Sequence, residues 1–129
     1  MYFYTGKLNS DIHKVGYDIQ SILGKLAGVV SDEDLLFDIR LIVNELVING
    51  CEHGNKSDDT KSIRLSLSVN ENKITIQVVD EGEGMKYSLF DYNAKSMESS
   101  GRGLRIVSEL TDELIIDNNR VIAIIHSKY

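Results

Sequence analysis

The sequence predicts an α+β two-layer sandwich in which helices cover one face of a mostly antiparallel sheet. Three observations predict it. Two long stretches repeat apolar residues at three- and four-residue steps, several short stretches alternate apolar and polar residues, and two pairs of those alternating stretches are joined by tight Asn-rich turns. Read in order, the periodicities give β-α-α-β-β-loop-α-β-β.

Tyr2 to Thr5 is a short aromatic run that favours extended chain and reads as an edge strand. Ile12, Val15, Ile19, Ile22, Leu23 and Leu26 then mark an amphipathic helix opening near Ser10-Asp11 and ending before Gly28. A second helix is expected from Ser31, with Asp34 at the capping-box position, through about His53 to a stop at Gly54. Ile63 to Val69 and Ile74 to Val78 alternate on either side of an Asn70 to Asn72 turn, which makes a hairpin with one buried face. Asp80 to Ser100 carries glycines at both ends and no sustained period, so it reads as a long loop. Arg105 to Leu110 suits a short helix after a Gly101-Arg102-Gly103 turn, and Glu113 to Asp117, Asn118-Asn119 and Arg120 to His126 form a closing hairpin.

The chain of 129 residues is expected to form one domain, 1–129, since no Pro- or Ser-rich linker divides it. With 14 basic against 20 acidic residues the net charge is −6, which argues against binding nucleic acid through phosphate contacts. Cys51 is the single cysteine, so no intramolecular disulfide marks an oxidising compartment. No stretch approaches the roughly 18 apolar residues of a membrane helix, and a cytoplasmic protein without a membrane partner is expected.

Three places carry chemistry. On the second helix Glu45, Asn49 and Glu52 fall at i, i+4 and i+7, a polar stripe on an otherwise apolar cylinder. A solvated face would look the same, but so apolar a helix should be packed around most of its circumference, leaving a carboxylate to face a cleft. Asp80-Glu81-Gly82-Glu83-Gly84 follows a strand directly; paired glycines let backbone approach a flat ligand, and Asp80 can accept from an amino group. An acidic tight turn is the plain alternative. Ser100-Gly101-Arg102-Gly103-Leu104 opens a helix, where free N–H groups and the helix dipole favour phosphate.

In order and spacing, these three features resemble the N, G1 and G2 boxes of the GHKL ATPases. The stretches Asn44 to Asn55 and Gly101 to Val107 look most like the bacterial anti-sigma-factor serine kinases. The resemblance covers essentially the whole chain. It implies the Bergerat ATP-binding sandwich with a mostly antiparallel mixed sheet, and ATP and Mg²⁺ as cofactors. By the same resemblance Glu45 is the catalytic base and Asn49 the metal ligand. Asp80 meets the adenine amino group, with Gly82 and Gly84 beside the base, and Met85 also belongs to the nucleotide-binding set. Gly101, Arg102 and Gly103 lie at the phosphates, Leu104 completes the nucleotide-binding set, and Met85 to Ser100 form a lid. One departure stands out: where the family opens its last strand with Gly-Thr, this chain has Asn119-Arg120.

The function so implied is an anti-sigma factor that sequesters a sigma factor and phosphorylates a Ser on an anti-anti-sigma partner. Two alternatives are a nucleotide-dependent binding module without phosphotransfer and an orphan histidine-kinase catalytic domain. A carboxylate at position 45 favours a hydroxyl acceptor, which must lose a proton, over an imidazole, which attacks with its own lone pair. The apolar Tyr2-Phe3-Tyr4 edge also suggests a homodimer.

Overall fold

A computed structural model describes residues 2–55, 58, 60–82 and 99–126. Strand β1 spans Tyr2–Asn9, helix α1 Ile12–Leu26 and helix α2 Glu33–Asn49. A π-helical turn, Gly50–Gly54, leads out of α2. The hairpin β2 (Ser62–Val69) and β3 (Lys73–Val79), helix α3 (Ser99–Leu110) and the hairpin β4 (Glu113–Asp117) and β5 (Arg120–His126) follow. The strands form one sheet in the order β1-β2-β3-β5-β4, and all four pairings are antiparallel.

Alternation sets the register. Ile63, Leu65 and Leu67 of β2, Ile74, Ile76 and Val78 of β3, and Val121 and Ala123 of β5 all point to one face, where they are buried. Against them lie Val15, Ile19, Leu23 and Leu26 of α1, Ile39, Ile42, Val43, Leu46 and Val47 of α2, and Leu104 and Val107 of α3. The helices therefore cover one face only, as the sequence predicts. Among the described residues no helix is long and apolar enough to cross a membrane.

Several boundaries differ from the sequence reading, each for a local reason. β1 runs to Asn9 because its whole length pairs with β2, from Tyr2 opposite Val69 to Asn9 opposite Ser62. The N-cap of α2 is Asp32 rather than Ser31; its carboxylate accepts from Asp34 N at 3.0 Å and Leu35 N at 3.2 Å, where an anion also complements the helix dipole. α3 starts at Ser99, so Gly101-Arg102-Gly103 lies inside the helix instead of forming a turn before it. The lid expected from Met85 to Ser100 thus loses Ser99 and Ser100 to α3, and its remainder lies outside the described residues. In the β4–β5 turn Asn118 has φ 55°, the left-handed region that Asn tolerates better than most residues.

Cys51 is completely buried, and that burial pushes its thiol up to about 11, so it is an inert core residue.

Candidate functional site

The site grows out of the end of α2. Apolar residues occupy most of this helix, and the two polar residues singled out on it take different positions. Glu45 is half-buried, whereas Asn49 is only 8% exposed. The Asn49 Oδ1 has no hydrogen-bond partner among the described residues. A buried acceptor left unpaired costs about 1–3 kcal/mol, so this oxygen sits where a donor or a cation would satisfy it. Glu52, the third member of the expected stripe, is exposed and belongs to the π turn, which takes it off the α2 face.

The π turn closes with Asn55 N donating to Gly50 O at 2.7 Å. Its glycines let it press on the start of β2 and the end of β3. A Cβ on Gly50 would come within 2.8 Å of Ile63 Cδ1, and a Cβ on Gly54 would run into the carboxylate of Asp80. Asp80 follows the last residue of β3 and is 9% exposed. Its Oδ1 accepts from Gly82 N at 2.7 Å. Gly82 in turn lies so close to the π turn that a Cβ there would collide with the Gly54 carbonyl oxygen. Close backbone approach is thus what both Gly54 and Gly82 provide.

Asn55 locks this arrangement. Its Nδ2 donates to Ser10 Oγ at 2.6 Å and to Ser62 O at 2.9 Å, and its Oδ1 accepts from Glu81 N at 2.7 Å. One buried amide therefore joins the start of α1, the start of β2 and the loop after β3. The backbone N–H and the hydroxyl of Ser62 both reach the Glu81 carboxylate and hold it below its usual range. From the other side, Asn119 Nδ2 donates to Asp80 O at 2.6 Å while Asp80 N donates to Asn119 O at 3.0 Å.

α3 brings the third segment in. Leu104 and Val107 fix it to the core, and Gly103 faces α2, where a Cβ would stand 2.5 Å from Glu45 Oε2. The Glu45 carboxylate thus lies against the backbone of α3 beside its first turn, whose leading N–H groups have no partner within the helix. Leu104 itself is a core side chain, so what it can offer a ligand is backbone. Gly101 and Arg102 lie in that first turn. Gly84 and Met85 fall outside the described residues.

The structure therefore gathers Glu45, Asn49, Asp80, Gly82 and Gly103 around the C-terminal half of α2, the π turn and α3. Sequence reasoning missed Asn55 and Asn119 as site-building residues. Asn55 directly follows a glycine that reads as a helix stop, and Asn119, although it stands where the family has Gly-Thr, reads only as a turn residue.

Burial pushes the Asp80 carboxyl above its ordinary value, against the opposing pull of the Gly82 N–H and Lys61. The folded state thus binds the Asp80 proton more tightly than the unfolded chain does. This contribution favours the fold below the unfolded pKa and is lost as pH rises through the folded one. Asp80→Asn is accordingly expected to raise the ligand-free melting temperature at pH 7, with the gain shrinking towards pH 4. Parallel melts at the two pH values check it; a gain equal at both would remove the buried charge as the cause.

Comparisons with known proteins agree with this fold. Residues 13–125 match the family described as the histidine kinase-like ATPase domain. The chain is similar to the anti-sigma F factor of Clostridium beijerinckii, 25% identical over 92 residues that cover 67% of this chain and 64% of that protein. It is similar to the serine-protein kinase RsbW of Bacillus subtilis, 25% identical over 122 residues covering 81% and 73%. A third relative, the anti-sigma F factor of Geobacillus stearothermophilus, is 29% identical over 91 residues covering 66% and 62%. The chain thus spans just under two thirds of the length of the two anti-sigma F factors.

Proposed function

Because the chain belongs to the histidine kinase-like ATPase family, we propose that it is an ATP-binding anti-sigma factor and protein serine kinase. On this reading it sequesters a sigma factor and phosphorylates a Ser of an anti-anti-sigma partner, which places it in the cytoplasm as a single domain, 1–129. The observation that carries the reading is the pair on α2: a buried amide oxygen at Asn49 with no partner among the described residues, one helical turn from a carboxylate at Glu45 that leans on α3. The names of the similar proteins, an anti-sigma F factor and a serine-protein kinase, support a sigma factor as partner and a protein serine as acceptor.

Each residue then has a task. Asp80 offers Oδ2 to the exocyclic amine of adenine, its Oδ1 being engaged by Gly82. Gly82, Gly84 and Met85 flank the base. The first turn of α3, with Gly101, Arg102 and Gly103, receives the phosphates. Asn49 Oδ1 is a suitable hard ligand for Mg²⁺, which when bound offsets phosphate charge. Glu45 accepts the proton of the acceptor hydroxyl as its oxygen attacks the γ-phosphorus, and the bond from that phosphorus to the β-phosphate oxygen breaks to release ADP.

Mg-ATP is expected to stabilise the fold. At a hundredfold excess over Kd the linkage is about 2.7 kcal/mol, a rise in Tm of about 8–15 °C for a domain of this size. Asn49→Ala should lose most of the shift together with its dependence on Mg²⁺. An unchanged Tm of the parent at millimolar Mg-ATP would end the nucleotide reading.

The chain is also proposed to form a homodimer through the outer face of its sheet. Phe3 of edge strand β1 is 69% exposed there, beside a shallow depression of about 280 Å³ lined by Ser66, Ser68, Thr75 and Gln77. Light scattering at tens of micromolar should return twice the chain mass, and Phe3→Glu should halve it; a monomer with and without ATP would exclude this interface.

A further inference from the structure

We propose that Asn119 is the positioning residue of the adenine site: its side-chain amide, in the place of the family's Gly-Thr, fixes the end of β3 so that the Asp80 carboxylate is held towards the base. This rests on the nucleotide reading given above.

Three observations carry it. First, the β3–β5 ladder ends at Val79 opposite Arg120, and Asp80 lies one residue beyond. There the backbone pairing continues in one direction only, from Asp80 N to Asn119 O at 3.0 Å. The return bond, to the Asp80 carbonyl, is made by the Asn119 side chain at 2.6 Å. Both backbone groups of Asp80 are thereby tied to one residue. Second, the turn does not require Asn at 119. The left-handed residue is Asn118, and Asn119 has no positive φ. What distinguishes Asn119 from other residues at this position is its reach to Asp80. Third, Arg120 is turned elsewhere, onto Asp117 at 2.9 Å. Of the two residues replacing Gly-Thr, Asn119 alone touches the recognition loop among the described contacts.

The consequence is a loop pinned at successive residues: Asp80 by Asn119, Glu81 by Asn55 and Gly82 by Asp80 itself. Asn55 holds the loop from the helix side, and Asn119 holds it from the sheet side. With the sheet-side tie gone, the Asp80 carboxylate keeps its charge but loses its fixed direction, and discrimination between adenine and guanine relaxes.

The test compares ATP, GTP and tripolyphosphate binding by calorimetry in the parent, Asn119→Ala, Asn119→Asp and Arg120→Ala proteins, each checked for folding by its thermal melt. Asn119→Asp keeps the shape of the side chain but sets an oxygen against the Asp80 carbonyl. Asn119→Ala and Asn119→Asp should weaken ATP by about three- to tenfold, leave tripolyphosphate unchanged and lower the ATP-to-GTP preference. In turnover, KM for ATP should rise while kcat at saturation holds. Arg120→Ala should behave as the parent does. A purely structural tie predicts equal losses for all three ligands, following the loss of Tm, and that result overturns the proposal. So does an ATP-to-GTP preference in folded Asn119→Ala equal to the parent's. A parent that binds none of the three ligands refutes the nucleotide reading itself, which keeps the two failures apart.

Discussion

Glu45→Ala is expected to bind ATP as the parent does, with the same thermal shift, and to transfer phosphate about 10²–10⁴-fold more slowly, the usual contribution of a general base. The prediction follows from where the carboxylate lies. It is half-buried on α2, one turn before Asn49, and its Oε2 is held against the α3 backbone at Gly103 rather than against the Asp80 loop. On the proposed reading, truncating it removes a proton acceptor from the phosphate end without disturbing the adenine end. If Glu45 only tethered α2 to α3, truncation would lower Tm and nucleotide affinity together while sparing the turnover of folded protein. Phosphate analysis of the partner gives a second check: phosphohistidine in place of phosphoserine would refute the hydroxyl acceptor. Wild-type transfer by Glu45→Ala would refute the base.

Gly82→Ala should do the reverse, losing nucleotide before chemistry is reached. The added Cβ would collide with the Gly54 carbonyl oxygen and approach Asp80 Oδ1 to 3.0 Å. The first obstacle is backbone, and the second is a carboxylate oxygen engaged by the Gly82 N–H. The loop after β3 and the π turn must move apart, at a cost of about 1–3 kcal/mol for overpacking, and the wall beside Asp80 separates. Mg-ATP should then produce no thermal shift at concentrations that saturate the parent. Gly24→Ala is the matched comparison, because a Cβ there meets nothing within 4 Å. On α1 that change should raise Tm, since alanine is the better helix former by about 1 kcal/mol. A Gly82→Ala protein that still binds ATP would show that this glycine is not required by the site.

The sheet was legible in the sequence because its signals are local. Ile63, Leu65 and Leu67 alternate with polar residues, and one face of that alternation is the core. The Asn118-Asn119 dipeptide announced its turn, and the flanking strands have the boundaries the sequence suggests. Glu45 and Asn49 were legible as polar residues on an otherwise apolar helix, and Asp80 as a carboxylate that directly follows a strand and precedes paired glycines. The start of α3 was not, because Ser99, Ser100, Gly101 and Gly103 are poor helix formers and only tertiary packing of Leu104 and Val107 carries the helix back to Ser99. The π turn was hidden for another reason: its hydrogen-bond spacing leaves no trace in hydrophobic period. Asn55 and Asn119 were illegible as organisers because their partners, Ser10, Ser62, Asp80 and Glu81, are distant in sequence.

That π turn also makes the spacing between two asparagines part of the fold's specification. Asn49 ends α2 and Asn55 closes the turn, its N–H reaching Gly50 O across a five-residue step. Removing one residue between them would let the chain continue as an ordinary α-helix, at about 100° of rotation per residue. Asn55 would then leave its three partners while Asn49 stayed in place. The segment is therefore sensitive to length as well as to composition: a deletion there would turn the Asn55 amide away from the loop that carries Asp80.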